Sequence, residues 1–127
     1  MPIYDVSAAA EALDLTPKQL DNIICRHAIP GVDRARRGVT RRLSSNAIVV
    51  LRLACELADA LGLPISRALR VALDVEQRNA ATIQLSKYAT LSIDLAALRA
   101  MTSSRLDAAV ESVGRRRRGR PPGRPAR

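Results

Sequence analysis

Four polar residues, Lys18, Gln19, Asn22 and Arg26, recur at the spacing of one side of a helix. Their side chains are of the types that form paired hydrogen bonds with base edges, Gln and Asn with adenine and Lys and Arg with guanine. A helix that presents them fits the major groove of a duplex. An ordinary solvated helix face carries the same residue types, so these positions alone leave both interpretations open.

A cluster of arginines directly follows this candidate helix. Six arginines stand between positions 26 and 42 against one acid, Asp33. They are Arg26, Arg34, Arg36, Arg37, Arg41 and Arg42. Arginines of this kind neutralise phosphates and set the register of a protein on a duplex, which contributes affinity more than sequence choice. Together the two features favour double-stranded DNA as the partner.

The C-terminal segment RRRRGRPPGRPAR, residues 115–127, has seven arginines and no acid, and thus supplies +7 of the formal net charge of +9. Residues 1–114 have 14 basic and 12 acidic side chains, a net of +2. Mutual repulsion and the Gly/Pro breaks prevent this segment from building a core. We therefore expect 114–127 to be a disordered tail when free.

Within this tail, Arg118-Gly119-Arg120-Pro121 resembles the RGRP core of the AT-hook, which lies in the minor groove of A·T-rich DNA. Glycine lets the backbone approach the groove floor, proline keeps it extended, and arginines favour the narrow, negative groove. Arg124 belongs to a weaker second copy of the motif. The alternative is an arginine-rich end that binds RNA or any polyanion without preference.

Composition excludes several other functions. The chain has no Phe or Trp and only Tyr4 and Tyr88, which argues against binding of single strands by base stacking. Its single histidine, His27, has no set of nucleophiles or carboxylates near it in sequence, so we predict neither an enzyme nor a metal or cofactor site. Cys25 and Cys55 are too far apart for a CxxC motif and are expected to be buried, reduced thiols.

The sequence also predicts where the chain resides. Its first fourteen residues, MPIYDVSAAAEALD, include three acids and lack the basic region of a signal peptide. The longest apolar run, 47–51, is too short to span a bilayer. We expect a cytoplasmic protein, located at the nucleoid, that does not bind membranes.

The elements that would position these residues begin with two short helices. Helix 1 is predicted over 6–13 with Ser7 as its N-cap. Helix 2 is predicted over 17–27, with Thr16 as N-cap and Pro17 at the first helical position, and its inward side holds Leu20, Ile23 and Ile24. Joined by so brief a turn they form a helix-turn-helix. We include Thr16 among the candidate DNA contacts.

The next segment predicts a hairpin and two more helices. Residues 30–44, with glycines at 31 and 38, indicate a short basic hairpin, the wing. Ser45 is the expected cap of a helix of about sixteen residues that ends at Gly62, with an inward stripe at Ile48, Leu51, Cys55 and Ala58. Pro64 opens a further helix over 63–74.

The last folded segment combines strand and helix signals. Residues 82–93 alternate and predict a hairpin that turns near Ser86-Lys87. Asp94 caps a helix over 94–113 with an apolar stripe. That stripe fits two roles equally, packing on the 82–93 hairpin or serving as the surface of a homodimer.

The order of elements resembles a known family. Residues 3–74, approximately, resemble the MerR-type winged helix-turn-helix. The resemblance rests on the order of five features: the helix-turn-helix, the wing, GVTRRLS at 38–44, a long aliphatic helix and GLPISRAL at 62–69. The resemblance implies that helix 2 enters the major groove and that Arg42 contacts the DNA backbone. Val39 and Leu43 stand where the family has aromatic residues, and the family's long dimerising helix and ligand-binding domain are replaced here.

We therefore expect a mainly α fold in three parts: a winged helix-turn-helix over 1–75, a β-hairpin plus helix over 76–113, and a disordered basic tail over 114–127. The expected function is that of a bacterial, sequence-specific regulator of transcription that binds double-stranded DNA. The alternatives are an architectural nucleoid protein with little sequence preference and a protein-interaction module in which DNA contact is secondary.

Overall fold

Five helices and two small antiparallel sheets make up residues 3–33 and 41–119, the part of the chain that the computed structural model describes, with side chains up to residue 112. The elements in chain order are β1 Ile3–Asp5, α1 Val6–Ala12, α2 Pro17–Arg26, β2 Arg42–Ser44, α3 Ser45–Leu61, α4 Ile65–Arg78, β3 Thr82–Ser86, β4 Ala89–Ser92 and α5 Leu95–Gly119. The expected mainly helical architecture is confirmed.

Local capping signals define α1 and α2. Asp5 Oδ1 accepts a hydrogen bond from the Ala8 amide at 2.9 Å, so the cap predicted at Ser7 is wrong; Ser7 lies inside the first turn. Thr16 caps α2 as predicted, and Pro17 is its first helical residue. The short turn at 13–16 leaves α1 and α2 in contact.

Strand β2 connects two parts of the chain that are distant in sequence. β1 pairs with it antiparallel, with Tyr4 opposite Leu43, and Val32 forms a bridge to Leu43. Leu43 is fully buried in the core. Strand β1 is not predictable from the sequence, because a strand of three residues depends on a distant partner rather than on its own periodicity.

A hairpin base lies where the wing is predicted. Two hydrogen bonds join its arms: the Asp33 amide donates to the Arg42 carbonyl at 3.0 Å, and the Ser44 amide donates to the Gly31 carbonyl at 2.8 Å. We call residues 31–33 and 41–44 the hairpin base. The rest of the predicted wing, 34–40, lies outside the described residues.

Helix α3 packs against α4 and α5 and supplies much of the core. Ser44 caps it, with Oγ accepting from the Ala47 amide at 3.2 Å, one residue before the predicted Ser45. In its predicted stripe, Ile48 and Leu51 are fully buried, whereas Cys55 and Ala58 are half-buried. The helix ends at Gly62, whose φ of +68° provides the left-handed cap expected there.

The segment after α3 agrees with prediction in type but not in every boundary. Helix α4 follows Pro64 and continues to Arg78, past the predicted end at 74. The β3–β4 hairpin is confirmed, with Lys87 and Tyr88 in its turn. This hairpin projects from the fold, and the exposed fractions of Leu85 and Tyr88 are 48% and 89%.

The apolar stripe of α5 is partly buried within the chain, with Leu98 and Met101 half-buried and Val110 49% exposed. Asp94 caps the helix as predicted, accepting from the Ala97 amide at 3.0 Å. Leu95, Leu106 and Ala109 are buried, and the helix packs on α1 and α3. The buried part of the stripe is therefore covered mainly by helices of the same chain.

Two arginines hold α5 to the turns that follow α1 and α4. Arg105 forms an ion pair with Asp14, and Arg99 donates to Asn79 Oδ1 at 2.8 Å and Glu76 Oε2 at 3.0 Å. Asp14 and Asn79 have φ of +58° and +51°, so both arginines bind a residue in the left-handed region.

The C-terminal end of α5 corrects one prediction. The tail was expected to be disordered from 114 onward, whereas the backbone remains helical through Gly119. Arginine is a strong helix former, and a single glycine such as Gly114 costs a helix about 1 kcal/mol, which does not by itself end it. Residues 120–127 lie outside the described residues. In the ranges that are described, no helix combines the length and apolar character needed to cross a membrane.

Candidate nucleic-acid interface

The outer surface of α2 is formed by three of the predicted residues. Lys18, Asn22 and Arg26 are exposed, and they recur every four residues on the side opposite the buried Leu20 and Ile24. Burial of the apolar side fixes which way the helix faces. We call Lys18, Asn22 and Arg26 the outer face of α2.

Thr16 and Gln19 are exposed but form the capping box of the helix. Gln19 Oε1 accepts from the Thr16 amide at 2.9 Å, and Thr16 Oγ1 accepts from the Gln19 amide at 3.1 Å. A paired contact with adenine uses both the oxygen and the nitrogen of a Gln side chain. The cap already uses the oxygen, so such a contact requires Gln19 to share or release it.

Two residues of α2 that the sequence analysis left out of the interface, Asp21 and Cys25, lie beside the outer face. They are four residues apart, both are exposed, and the Cys25 thiol is 3.8 Å from Asp21 Oδ2. The prediction that Cys25 is buried is wrong. The spacing alone is a usable signal, because positions 21 and 25 must share one flank of the helix.

Arg41 reaches this flank from the strand side of the hairpin base. Its Nη1 is 3.7 Å from Asp21 Oδ1, and its Nη2 donates to Cys25 Sγ at 3.3 Å. Only 16% of the Arg41 side chain is exposed. The guanidinium therefore bridges the hairpin base and α2 at the edge of the outer face.

Arg42 is placed differently from its neighbour. It is exposed, and its carbonyl accepts from the Asp33 amide, which fixes its backbone in β2. The remaining predicted wing residues, Arg34, Arg36 and Arg37, lie outside the described residues. The structure thus brings Arg41 against α2 and leaves Arg42 exposed at the start of β2.

A cleft of about 510 Å³ separates the C-terminal half of α2 from the hairpin base. Ile24, His27 and Val32 are among its lining residues, with Cys25 and Arg41 at the bridge. Because its walls come from both elements, the cleft depends on how they are held together.

The predicted minor-groove residues fall at and beyond the last turn of α5. The backbone at Arg118 and Gly119 is helical, which differs from the extended form that the resemblance to an AT-hook implies. Arg120, Pro121 and Arg124 lie outside the described residues.

The titratable groups offer little other chemistry. No group of three or more His, Cys, Asp or Glu side chains within the described ranges is placed to bind a metal. Cys25 and Cys55 are free thiols. Burial raises the pKa of the Cys55 thiol, an effect that the nearby charge of Arg52 opposes, which makes this thiol a weaker nucleophile near neutral pH.

Comparison with known proteins adds no family to these observations: the chain matches no protein-family model and no curated protein sequence.

Proposed function

We propose that this chain is a sequence-specific regulator that binds double-stranded DNA, with α2 in the major groove. The observation that carries the proposal is the outer face of α2, where Lys18, Asn22 and Arg26 are exposed together on a helix whose other side is anchored in the core. These side chains can read guanine and adenine edges. A rigid scaffold beneath them holds them in register.

The pairing of α1 and α2 with the hairpin base supports a winged helix-turn-helix arrangement. A turn of residues 13–16 links the two helices, and the hairpin base contacts α2 through Arg41. In this arrangement the exposed Arg42 contacts a phosphate beside the groove. Arg34, Arg36 and Arg37 are assigned to phosphates on the basis of sequence alone.

The tail completes the proposed grip by binding the adjacent A·T-rich minor groove through Arg118, Gly119, Arg120 and Pro121. Residues 118–119 then exchange a helical for an extended backbone. The residue before a proline disfavours the helical region, so the sequence Arg120-Pro121 opposes extension of α5 and favours that exchange. Tethering to a bound domain raises the local concentration of the tail at the DNA.

Selection of binding sites from random duplexes tests the proposal. Full-length protein and a chain ending at Gly114 are each run at low and raised salt; the shorter chain keeps every described buried residue, the last of which is Ala109. We expect both to enrich one common sequence, and only the full-length chain to enrich flanking A·T steps. Asn22→Ala is expected to relax one position of that sequence at a cost of about 1–3 kcal/mol.

If neither chain enriches any sequence, the proposal of a sequence-specific regulator is wrong. Binding without enrichment that is lost with the tail would support the architectural alternative instead. The interaction-module alternative and a homodimer both depend on the apolar side of α5, which helices α1 and α3 cover in part. Val110, at 49% exposed, is the member of the stripe that the described surface leaves open to a partner.

A further inference from the structure

Two adjacent arginines of the hairpin base have opposite surroundings. Arg42 is exposed, whereas the Arg41 side chain is only 16% exposed. Arg42 is the first residue of β2 and Arg41 lies just before that strand, so the two neighbours need not share a role although they are identical in sequence. Charge counting along the sequence assigns both to phosphates.

Within the described residues, the polar side-chain contacts of Arg41 are made with α2. One guanidinium nitrogen is 3.7 Å from Asp21 Oδ1, and the other donates to Cys25 Sγ at 3.3 Å. The planar guanidinium thus spans two consecutive turns of the helix. The guanidinium offers a separate nitrogen to each of the two partners, which the compact ammonium of a lysine does not.

We propose that Arg41 is a positioning residue that fixes the hairpin base against α2, and that Arg42 is the arginine of this pair that contacts DNA phosphate. The proposal deepens the proposed function and rests on it for the role of Arg42. The Asp21 carboxylate lies beside the outer face, where it would repel phosphates. Arg41 neutralises it and sets the distance between the two elements that grip the duplex.

The salt dependence of binding separates the two roles. A side chain that neutralises a phosphate releases a counterion, and its loss lowers the slope of log K against log salt by about 0.9. Arg41 is already paired with Asp21, so it does not neutralise a phosphate and displaces no counterion from the DNA. We therefore expect Arg42→Ala to reduce the slope by about one contact, and Arg41→Ala to weaken binding about two- to fivefold at every salt concentration with the slope unchanged.

The binding arm uses the full-length chain and a random-sequence duplex of about three helical turns, titrated between about 50 and 200 mM KCl. Both variants remove one positive charge from neighbouring positions, so each is the matched control for the other. Equal losses of slope for Arg41→Ala and Arg42→Ala would overturn the proposal.

A second arm works without DNA and measures hydrogen exchange of the Asp33 and Ser44 amides, which donate the two hydrogen bonds of the hairpin base. We expect Arg41→Ala and Asp21→Asn each to speed their exchange about two- to fivefold. Amide exchange in the double variant should be no faster than in the faster of the two single variants, because both changes break the same ion pair. Arg42→Ala should leave exchange unchanged.

If Arg41→Ala does not change the exchange rates of the Asp33 and Ser44 amides, the positioning role is wrong, whatever the binding experiment shows. If the wild-type chain does not bind duplex DNA, the proposed function fails and the exchange arm alone decides whether Arg41 fixes the hairpin base.

Discussion

At the scale of single residues, Gly31 is required for two reasons, its backbone conformation and the close approach of Ser44. Its φ is +88°, and a Cβ there would overlap Ser44 Oγ and lie 3.3 Å from Ala47 Cβ. Ser44 Oγ is committed as the N-cap acceptor of α3. A side chain at 31 would therefore strain the backbone of the hairpin base and also disturb the start of the central helix.

We predict that Gly31→Ala lowers the free energy of unfolding by about 2–3 kcal/mol, combining about 1–2 for the left-handed backbone and about 1 for the lost cap. Gly62→Ala is the control, because its φ is +68° but nothing lies within 4 Å of the added Cβ. It should cost only about 1–2 kcal/mol. Urea unfolding of both variants gives the comparison, and equal losses would show that the overlap with Ser44 is relieved without cost.

At the scale of elements, α5 provides a matched pair of positions four residues apart. Leu106 is 1% exposed between α5 and its neighbours, whereas Val110 is 49% exposed. We predict that Leu106→Ala costs about 2–5 kcal/mol through lost burial and a cavity. Val110→Ala should change stability by less than about 0.5 kcal/mol, because Ala has the higher helix propensity and little apolar contact is lost.

Thermal or urea unfolding measures both variants. A small effect of Leu106→Ala would mean that α5 is only loosely held on α1 and α3, and a large effect of Val110→Ala would mean that its exposed side is covered by another molecule in solution.

The elements also show which parts of the fold are predictable. Starts and ends that depend on adjacent residues follow from the sequence: Thr16-Pro17, Gly62 and Asp94 all mark the boundaries expected of them. Ser7 fails because Asp5, two residues earlier, supplies a competing carboxylate acceptor. What the apolar stripe of α5 packs against cannot be predicted from the sequence, since periodicity reveals an apolar side but not what covers it.

The candidate interface divides in the same way. The exposure of Lys18, Asn22 and Arg26 follows from the period of Leu20 and Ile24 on the opposite side of the helix. The pairing of Arg41 with Asp21 does not, because the two residues are twenty positions apart and meet only when the hairpin base folds against α2. Charge counts cannot distinguish an arginine that is paired within the fold from one that is not.

At the scale of the whole molecule, the core is continuous from α1 to α5. Buried residues of α5 belong to the same cluster as those of α1, α3 and α4. The region 1–75, which resembles a separate domain in sequence, therefore shares its interior with a helix that begins at Leu95.

We predict that a chain ending at residue 75 shows no cooperative thermal transition, because it exposes the alanines of α1 and the side of α3 that α5 covers. A chain ending at Gly114 should melt within about 2 °C of the full-length protein, because it lacks no described buried residue. Calorimetry of the two truncations tests this, and cooperative melting of the shorter one would show that α5 is not needed for the fold.

The register that sets Tyr4 opposite Leu43 gives the molecule a built-in optical probe. The chain has no tryptophan and one other tyrosine, Tyr88, whose ring is 89% exposed in the hairpin turn and so meets water whether the protein is folded or not. A change in tyrosine emission or quenching during unfolding therefore comes mainly from the half-buried Tyr4 ring. Intrinsic fluorescence thus reports, without any label, when the first strand leaves β2.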